Sequence, residues 1–375
     1  MKNIINCSIQ IFLLALCVWS CSGTKENTIE LKATQSDKLT LSSTSRIVQL
    51  ETNSESMLSY ILKANVDFSN DRIFILSKFN IYIFNSNGKY LRKLKVGRGP
   101  GEITQIISFA INTTTKLIYA IDNATKLCSF DYDGNMINTY SIESFVSCDI
   151  SVLDNDNVLL LRNLVGGTEK YFVGLYRISE QKVVKKFISA EKSPYPLNTL
   201  VSAKNFMQNN EKLYFYAPNV FGLFEYRNSD FDQILSFDLG EKAVPKSLSN
   251  KFEKQKKCDL RNEAKSKHFI PFLLYAFPFK GHYFIGADDK DFNCYAINIQ
   301  NKKIYNNGTI SSYFNLPEKG SLRLPCGIQD SLIIFHCNPS EFFDSKTNAD
   351  AKEIQVAGHN IEVNQDDNPF LIIVQ

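Results

Sequence analysis

One pattern recurs along most of this chain: an apolar strand, a polar turn, a second apolar strand, then a turn carrying Gly, Asn or Asp and a third strand. The first clear copy is "DRIFILSKFNIYIFNSNGKYLRKL" at 71–94, and the second is "KLIYAIDNATKLCSFDYDGNMINTYSI" at 116–142. In both, Asn or Asp stands before Gly ("NSNGK", "DYDGN"), supplying the positive φ that a tight hairpin needs while its strands keep their natural twist. Further copies occupy 157–188, 211–239 and 281–306, and a sixth opens at "DSLIIFHCN" (330–338) and closes with "NPFLIIVQ" (368–375). The 28 Phe and 17 Tyr add to the preference for strands over helices.

Six copies predict an all-β fold, a six-bladed β-propeller in which each blade is a small antiparallel sheet. One such unit cannot cover both of its apolar faces, so neighbours must stack and the ring must close. The segment "SRIVQLE" (45–51) is an apolar strand ahead of the first repeat, and it is predicted to pair with the C-terminal residues and protect both edges. The propeller thus spans 46–375. Its rhythm breaks in "KSLSNKFEKQKKCDLRNEAKSKH" (246–268), which lacks Gly and Pro and predicts a short helical insertion at about 244–270. Leu248, Phe252 and Leu260 would dock that insertion and leave its lysines in water; the sharper alternative is a basic surface for anionic lipid or polysaccharide.

The first twenty residues have Lys2 and then an apolar stretch from Ile9 to Trp19, too short to span a bilayer comfortably and laid out as an export signal. "VWSCSG" follows and resembles the bacterial lipobox, with Cys21 as the residue that would carry lipid, although Trp19 departs from the motif. An acylated Cys21 would hold the protein at a membrane without a transmembrane helix, and the Ser-, Thr-, Lys- and Glu-rich residues 21–45 would form a flexible tether. The alternative is a plain secretory signal with an unrelated cysteine. Six cysteines follow Cys21, none in a CxxC pair, and their irregular spacing suits buried thiols at least as well as disulfides.

Between the first two repeats lies "VGRGPGEI" (96–103), with Gly97, Gly99, Pro100 and Gly101. A phosphate-binding loop needs Lys-Ser/Thr after its last glycine, and a dinucleotide fingerprint needs a following helix; here "EITQIISFAI" follows, which reads as a strand. The glycines are predicted to turn a structural corner between blades. This stretch and the repeat after it resemble the NHL repeat pattern. Together with "RIVQLETNSESML", "DRIFILS" and "DDNPFLIIVQ" they resemble the six-bladed propeller lipoproteins abundant in Bacteroides-like bacteria. That resemblance implies a fold and a cell-envelope address, lipid-anchored and facing the periplasm or cell surface from the outer membrane, and no defined activity.

Chemical motifs are sparse. The four histidines (268, 282, 336, 359) show no metal-ligand spacing, and there is no nucleophile elbow or reactive-cysteine context, so no catalytic or cofactor-binding residue is predicted. His336, inside "LIIFHCN", reads as packed. "GADDKDFN" (286–293) places Asp288, Asp289 and Asp291 where carboxylates could hold calcium, a solvated hairpin turn being the simpler reading. "SPYPLN" (193–198) and the aromatic run 269–279 carry no assigned role. A net charge of +3 without a concentrated basic element argues against nucleic acid. The expected function is a binding scaffold for an envelope protein, a glycan or a peptide, with contacts from loops of several blades. The alternative is a channel-sited hydrolase or lyase, metal-dependent or not.

Overall fold

The computed structural model describes residues 28–31, 38–99, 101–162, 170–189, 204–209, 211–217, 220–254, 260–343 and 351–375, with backbone alone at 251–254 and 260. Two short strands open the chain, β1 (Thr28–Glu30) and β2 (Ser45–Val48). A sheet then forms from β3 (Lys63–Asp67), β4 (Arg72–Ser77), β5 (Asn80–Phe84) and β6 (Tyr90–Lys93). The second sheet holds β7 (Ile106–Asn112), β8 (Leu117–Asp122), β9 (Lys126–Asp131) and β10 (Met136–Ser141), and the third β11 (Ser147–Val152), β12 (Asn157–Arg162), β13 (Tyr171–Arg177) and β14 (Lys182–Ser189). Next come β15 (Phe206–Asn209), β16 (Lys212–Ala217), β17 (Gly222–Arg227) and β18 (Asp230–Asp238), followed by helices α1 (Lys246–Lys254) and α2 (Leu260–Ser266). Another sheet contains β19 (Leu273–Phe279), β20 (His282–Ala287), β21 (Cys294–Asn298) and β22 (Ile304–Asn306). The chain ends with β23 (Gly327–Gln329), β24 (Leu332–Cys337), the hairpin β25 (Ala351–Val356) and β26 (His359–Asn364), and β27 (Phe370–Val374).

The fold is all-β with a propeller-like arrangement, and the helical insertion is present as α1 and α2. The sequence predicts six separate sheets; among the described residues four four-stranded sheets stand alone, β25 and β26 form a two-stranded one, and the other strands join in one nine-stranded sheet, ordered β1-β18-β17-β16-β15-β23-β24-β27-β2. Its joint is narrow. Strands β15 and β23 meet through a single parallel pair, Gln208 with Gln329. Three-residue β23 lies close enough to the axis to bond on two sides, because Ala64 N also donates to Cys326 O at 2.8 Å and Val66 N to the Gln329 side chain at 3.0 Å.

Alternation along the strands explains why they read as unbroken apolar runs. Successive side chains point to opposite faces, and here both faces are covered. In β4, Ile73 and Ile75 enter a core with Val48, Ile334 and Ile373, whereas Phe74 and Leu76 enter a different core with Phe109, Ile118 and Phe130. In β12, Val158 and Leu160 pack with Tyr119 and Ile121 of the second sheet, and Leu159 and Leu161 with Phe206 and Phe215 of the fourth group of strands. Fully burying each such side chain contributes about 1.5–3 kcal/mol, which only a neighbouring sheet can supply.

Strand β2 pairs antiparallel with β27 from Ser45–Val374 to Val48–Leu371, so the predicted contact between the terminal segments is present. The flexible tether expected over 21–45 does not hold for its described part. Strand β1 adds in parallel to the outer edge of β18, and Ile29 and Leu31 are buried there. Farther on, Leu41 N donates to Tyr313 O at 2.9 Å and Thr44 N to Gln375 O at 3.2 Å. Apolar residues at 29, 31, 39 and 41 pack into the same core as β18 and β24, outweighing the loop-like composition around them. No helix among the described residues is long and apolar enough to cross a membrane.

Candidate functional site: a charged knot where the inner strands begin

The innermost strands of four sheets start next to one another, and the polar residues there converge. Lys63 opens β3 and donates through Nζ to Asp149 Oδ1 at 2.8 Å and to Ser108 Oγ at 3.0 Å. Ser108, on β7, donates in turn to the same Asp149 oxygen at 2.6 Å. The other carboxylate oxygen accepts from the backbone amides of Asn205 at 2.7 Å and Phe206 at 3.3 Å, where β15 begins. Asp149 is therefore fully buried and fully bonded, tying β3, β7, β11 and β15 together. Such saturation is what makes a buried carboxylate tolerable.

Beside this knot stands a second ammonium. Lys204 is partly buried and donates from Nζ to Pro325 O at 2.8 Å. Burial pulls its pKa below the ordinary lysine value; Cys326 and Asp149 oppose that pull and Lys63 adds to it. Pro325 precedes Cys326, whose amide donates to Ile334 O at 2.7 Å, two residues before His336 on β24. The Nδ1 atom of His336 is buried without a partner. Burial lowers the His336 pKa to about 4, with Lys204 adding to the effect and Glu341 opposing it. Cys326 is wholly buried, and burial pushes its thiol up to about 12, so it contributes no thiolate. The arrangement holds two lysines for one carboxylate, next to a neutral imidazole.

The residues singled out from the sequence lie elsewhere. Gly97 and Gly99 sit between β6 and β7, where Gly97 N donates to Ile103 O at 2.9 Å and Gly99 N to Glu102 Oε2 at 2.8 Å. The loop folds around its own carboxylate. Gly101 has φ +76°, a left-handed conformation that glycine adopts freely. Pro100 and Cys21 lie outside the described residues, as do Cys258 and 193–198.

Asp288, buried at the end of β20, is paired bidentately by Arg261 of α2 and by Lys265 at 3.0 Å. Asp289 accepts from the amides of Asp291 at 3.1 Å and Asn293 at 2.9 Å, shaping the turn. The Asp288 and Asp289 carboxylates thus meet cations and amides, and among the described residues no group of three or more His, Cys, Asp or Glu is placed to hold a metal ion. Lys265, expected in water, is instead an internal fastener of the insertion and stacks over Phe292. Leu248 is buried as expected, while the Phe252 and Leu260 side chains are not among those described. Cys128, Cys148, Cys294, Cys326 and Cys337 are buried free thiols.

Lys63, Ser108, Asp149 and Lys204 escape a motif search because each comes from a different repeat. The available signal is a polar residue at or near the start of each inner strand, as in "KANVD" and "SCDISV".

No curated protein sequence matches this chain. In solved structures the fold is similar to the crystal structure of a protein of Bacteroides fragilis assigned as exported, with TM-score 0.72 and 15% identity over 93% of this chain and 98% of that one. U3-55K (TM-score 0.44, 10% identity, 79% of this chain and 78% of that one) and the WD40 repeats of RRP9 (0.46, 9%, 88% and 97%) align more loosely. A model of a domain family of unknown function, DUF4934, matches residues 21–375, and with that span covered the chain belongs to this family.

Proposed function

We propose that this protein is a lipid-anchored cell-envelope scaffold that binds its ligand at the face where the inner strands begin. The observation that carries the reading is Asp149, which fastens four inner strands through buried hydrogen bonds and leaves the loops and the second lysine above them as the adaptable part. A rigid core beneath variable loops is the usual setting of a binding site.

The finer architecture belongs to this proposal. Dividing the nine-stranded sheet at the single Gln208–Gln329 pair gives two further units, β15 to β18 with β1 added at the edge and β23, β24, β27 and β2, hence six NHL-like blades, with β2 against β27 as the closure and Gly97 to Gly101 as a corner between blades. Envelope location is supported by the export-signal pattern, by Cys21 in its lipobox-like setting and by the exported assignment of the Bacteroides fragilis protein. Cys21→Ala is the test of the anchor: the variant should leave the membrane fraction, and continued tight attachment overturns the anchor. Crosslinked capture of a partner protein, glycan or peptide from the native envelope, compared with a variant carrying altered loops on this face, tests the scaffold; capture unaffected by those changes places binding elsewhere.

A second reading, a channel-sited hydrolase or lyase, draws on the same pair. An ammonium of lowered pKa beside an imidazole that is neutral near pH 7 can exchange protons with a substrate. Metal analysis of the purified protein and turnover assays on envelope polysaccharides separate the two readings, since sustained turnover lost in Lys204→Met supports the enzyme.

A further inference from the structure

We propose that the ligand of this face presents an oxyanion, a carboxylate, sulfate or phosphate group, that seats between Lys204 and His336. The inference rests on the binding-scaffold reading and names the chemistry its ligand must carry.

The charge inventory of the knot is lopsided. Asp149 has no capacity left for Lys204: Lys63 and Ser108 occupy one oxygen, and the amides of Asn205 and Phe206 the other. Among the described residues the Lys204 ammonium donates to the neutral Pro325 carbonyl alone, and no carboxylate stands within ion-pair distance of it. Glu341, the acid that acts on His336, is already held by the Ser321 amide at 3.2 Å and by Asn338 Nδ2 at 3.2 Å. An ammonium half withdrawn from water without a counter-charge is a costly arrangement, and an anion supplied from outside relieves it.

The imidazole provides the second element. His336 has a buried Nδ1 with no partner, an exception in a protein where buried polar atoms are generally bonded. Pro325, whose carbonyl holds Lys204, adjoins Cys326, and the Cys326 amide donates to Ile334 O at 2.7 Å, which brings the Lys204 ammonium towards the end of β24 that carries His336. Unlike Asp149 and Cys326, which are sealed, Lys204 and His336 each keep part of their surface exposed, with the Nδ1 atom itself buried. An oxyanion there accepts from the ammonium and, once the imidazole takes up a proton, from Nδ1–H as well. Lys204, Lys63, Glu341, Asp149 and Cys326 are the ionisable groups that set the response.

The test is titration of the purified full-length protein with inorganic phosphate, sulfate and glucuronate separately, followed by NMR of the His336 imidazole and by calorimetry. One equivalent should bind, and the imidazole titration midpoint should rise by about one pH unit or more as the added negative charge replaces a repulsive neighbour. Lys204→Met should weaken binding about tenfold or more, and Lys204→Arg should retain it. Differences among the three probes tell a sugar carboxylate from a sulfate or phosphate ester. His336→Phe, which keeps the bulk of the ring, should halt the pH dependence of binding while the circular dichroism spectrum stays native. Absence of binding at millimolar concentration, or binding indifferent to Lys204→Met in a folded variant, overturns the proposal. A captured envelope ligand without negative charge overturns it while leaving the scaffold intact; anion binding with no envelope partner leaves the proposal standing and removes the scaffold.

Discussion

Lys63 and Asp149 lie 86 residues apart in the chain and join at 2.8 Å, with the carboxylate wholly shielded from solvent. The contact links the first residue of β3 to the middle of β11, bridging sheets whose apolar cores are separate. It is the polar counterpart of the apolar stacking farther out.

Removing one partner should therefore be severe. Asp149→Ala strands a buried ammonium and two backbone amides, and the expected loss is about 3–5 kcal/mol in urea unfolding. Lys63→Met combined with Asp149→Ala should recover part of this, because no charge is then left unmatched; a double variant as unstable as the sum of the two single changes argues that the pair is not coupled.

Closure of the terminal segments makes a second prediction. Val48 is 2% exposed and packs with Ala64, Val66 and Ile373, so Val48→Asp should lower stability by about 3 kcal/mol or more. Ile137 is 49% exposed on β10, and Ile137→Asp should change stability by less than about 0.5 kcal/mol. Equal urea midpoints for the two variants would refute the role assigned to β2.

At the corner, Gly101 has open space around the position of a Cβ, so the penalty of Gly101→Val is purely conformational. A β-branched residue at φ +76° should cost about 1–3 kcal/mol. Thermal melting measures it, and an unchanged midpoint contradicts the corner. A Cβ at Gly97 would lie 1.9 Å from Glu102 Oε2, so Gly97→Ala should dislodge that carboxylate and loosen the Gly99 bond.

His336 gives a pH dependence of definite sign. Its folded pKa of about 4 lies below the unfolded value of 6.5, so between these limits the unfolded chain binds the extra proton. Stability from this residue is complete above pH ~6.5 and falls as pH drops towards ~4, by on the order of 2–3 kcal/mol. His336→Phe should flatten that slope in urea midpoints taken across the range. A slope unchanged by the substitution assigns the acid sensitivity to other groups.

Much of the architecture was legible because the repeats carry local chemistry. "NSNGK" and "DYDGN" mark hairpins by backbone conformation, and both bind their turns through Asn85 and Asp131. The innermost strands were less visible. "KANVD" and "FMQN" are short and mixed in polarity, since one end of each meets the polar axis and not a neighbouring sheet. Residues 21–45 read as tether because Ser, Thr, Lys and Glu are frequent there, whereas in the described part, 28–31 and 38–45, four spaced aliphatic residues find a core made by β18, β24 and their neighbours.

By itself, the sequence determined the strand periodicity, the turn positions, the helical interruption and the pairing of residues 45–48 with the C-terminal strand. These follow from alternation and backbone preference, which act over a few residues. Only the tertiary structure decided that β15 and β23 touch, that residues 28–31 extend β18, and that Lys63, Ser108 and Asp149 meet with Lys204 beside them. Their meeting depends on how far the sheets rotate about a common axis and how closely they approach there. Burial and charge at that axis are sums over all the sheets, and no single repeat contains them.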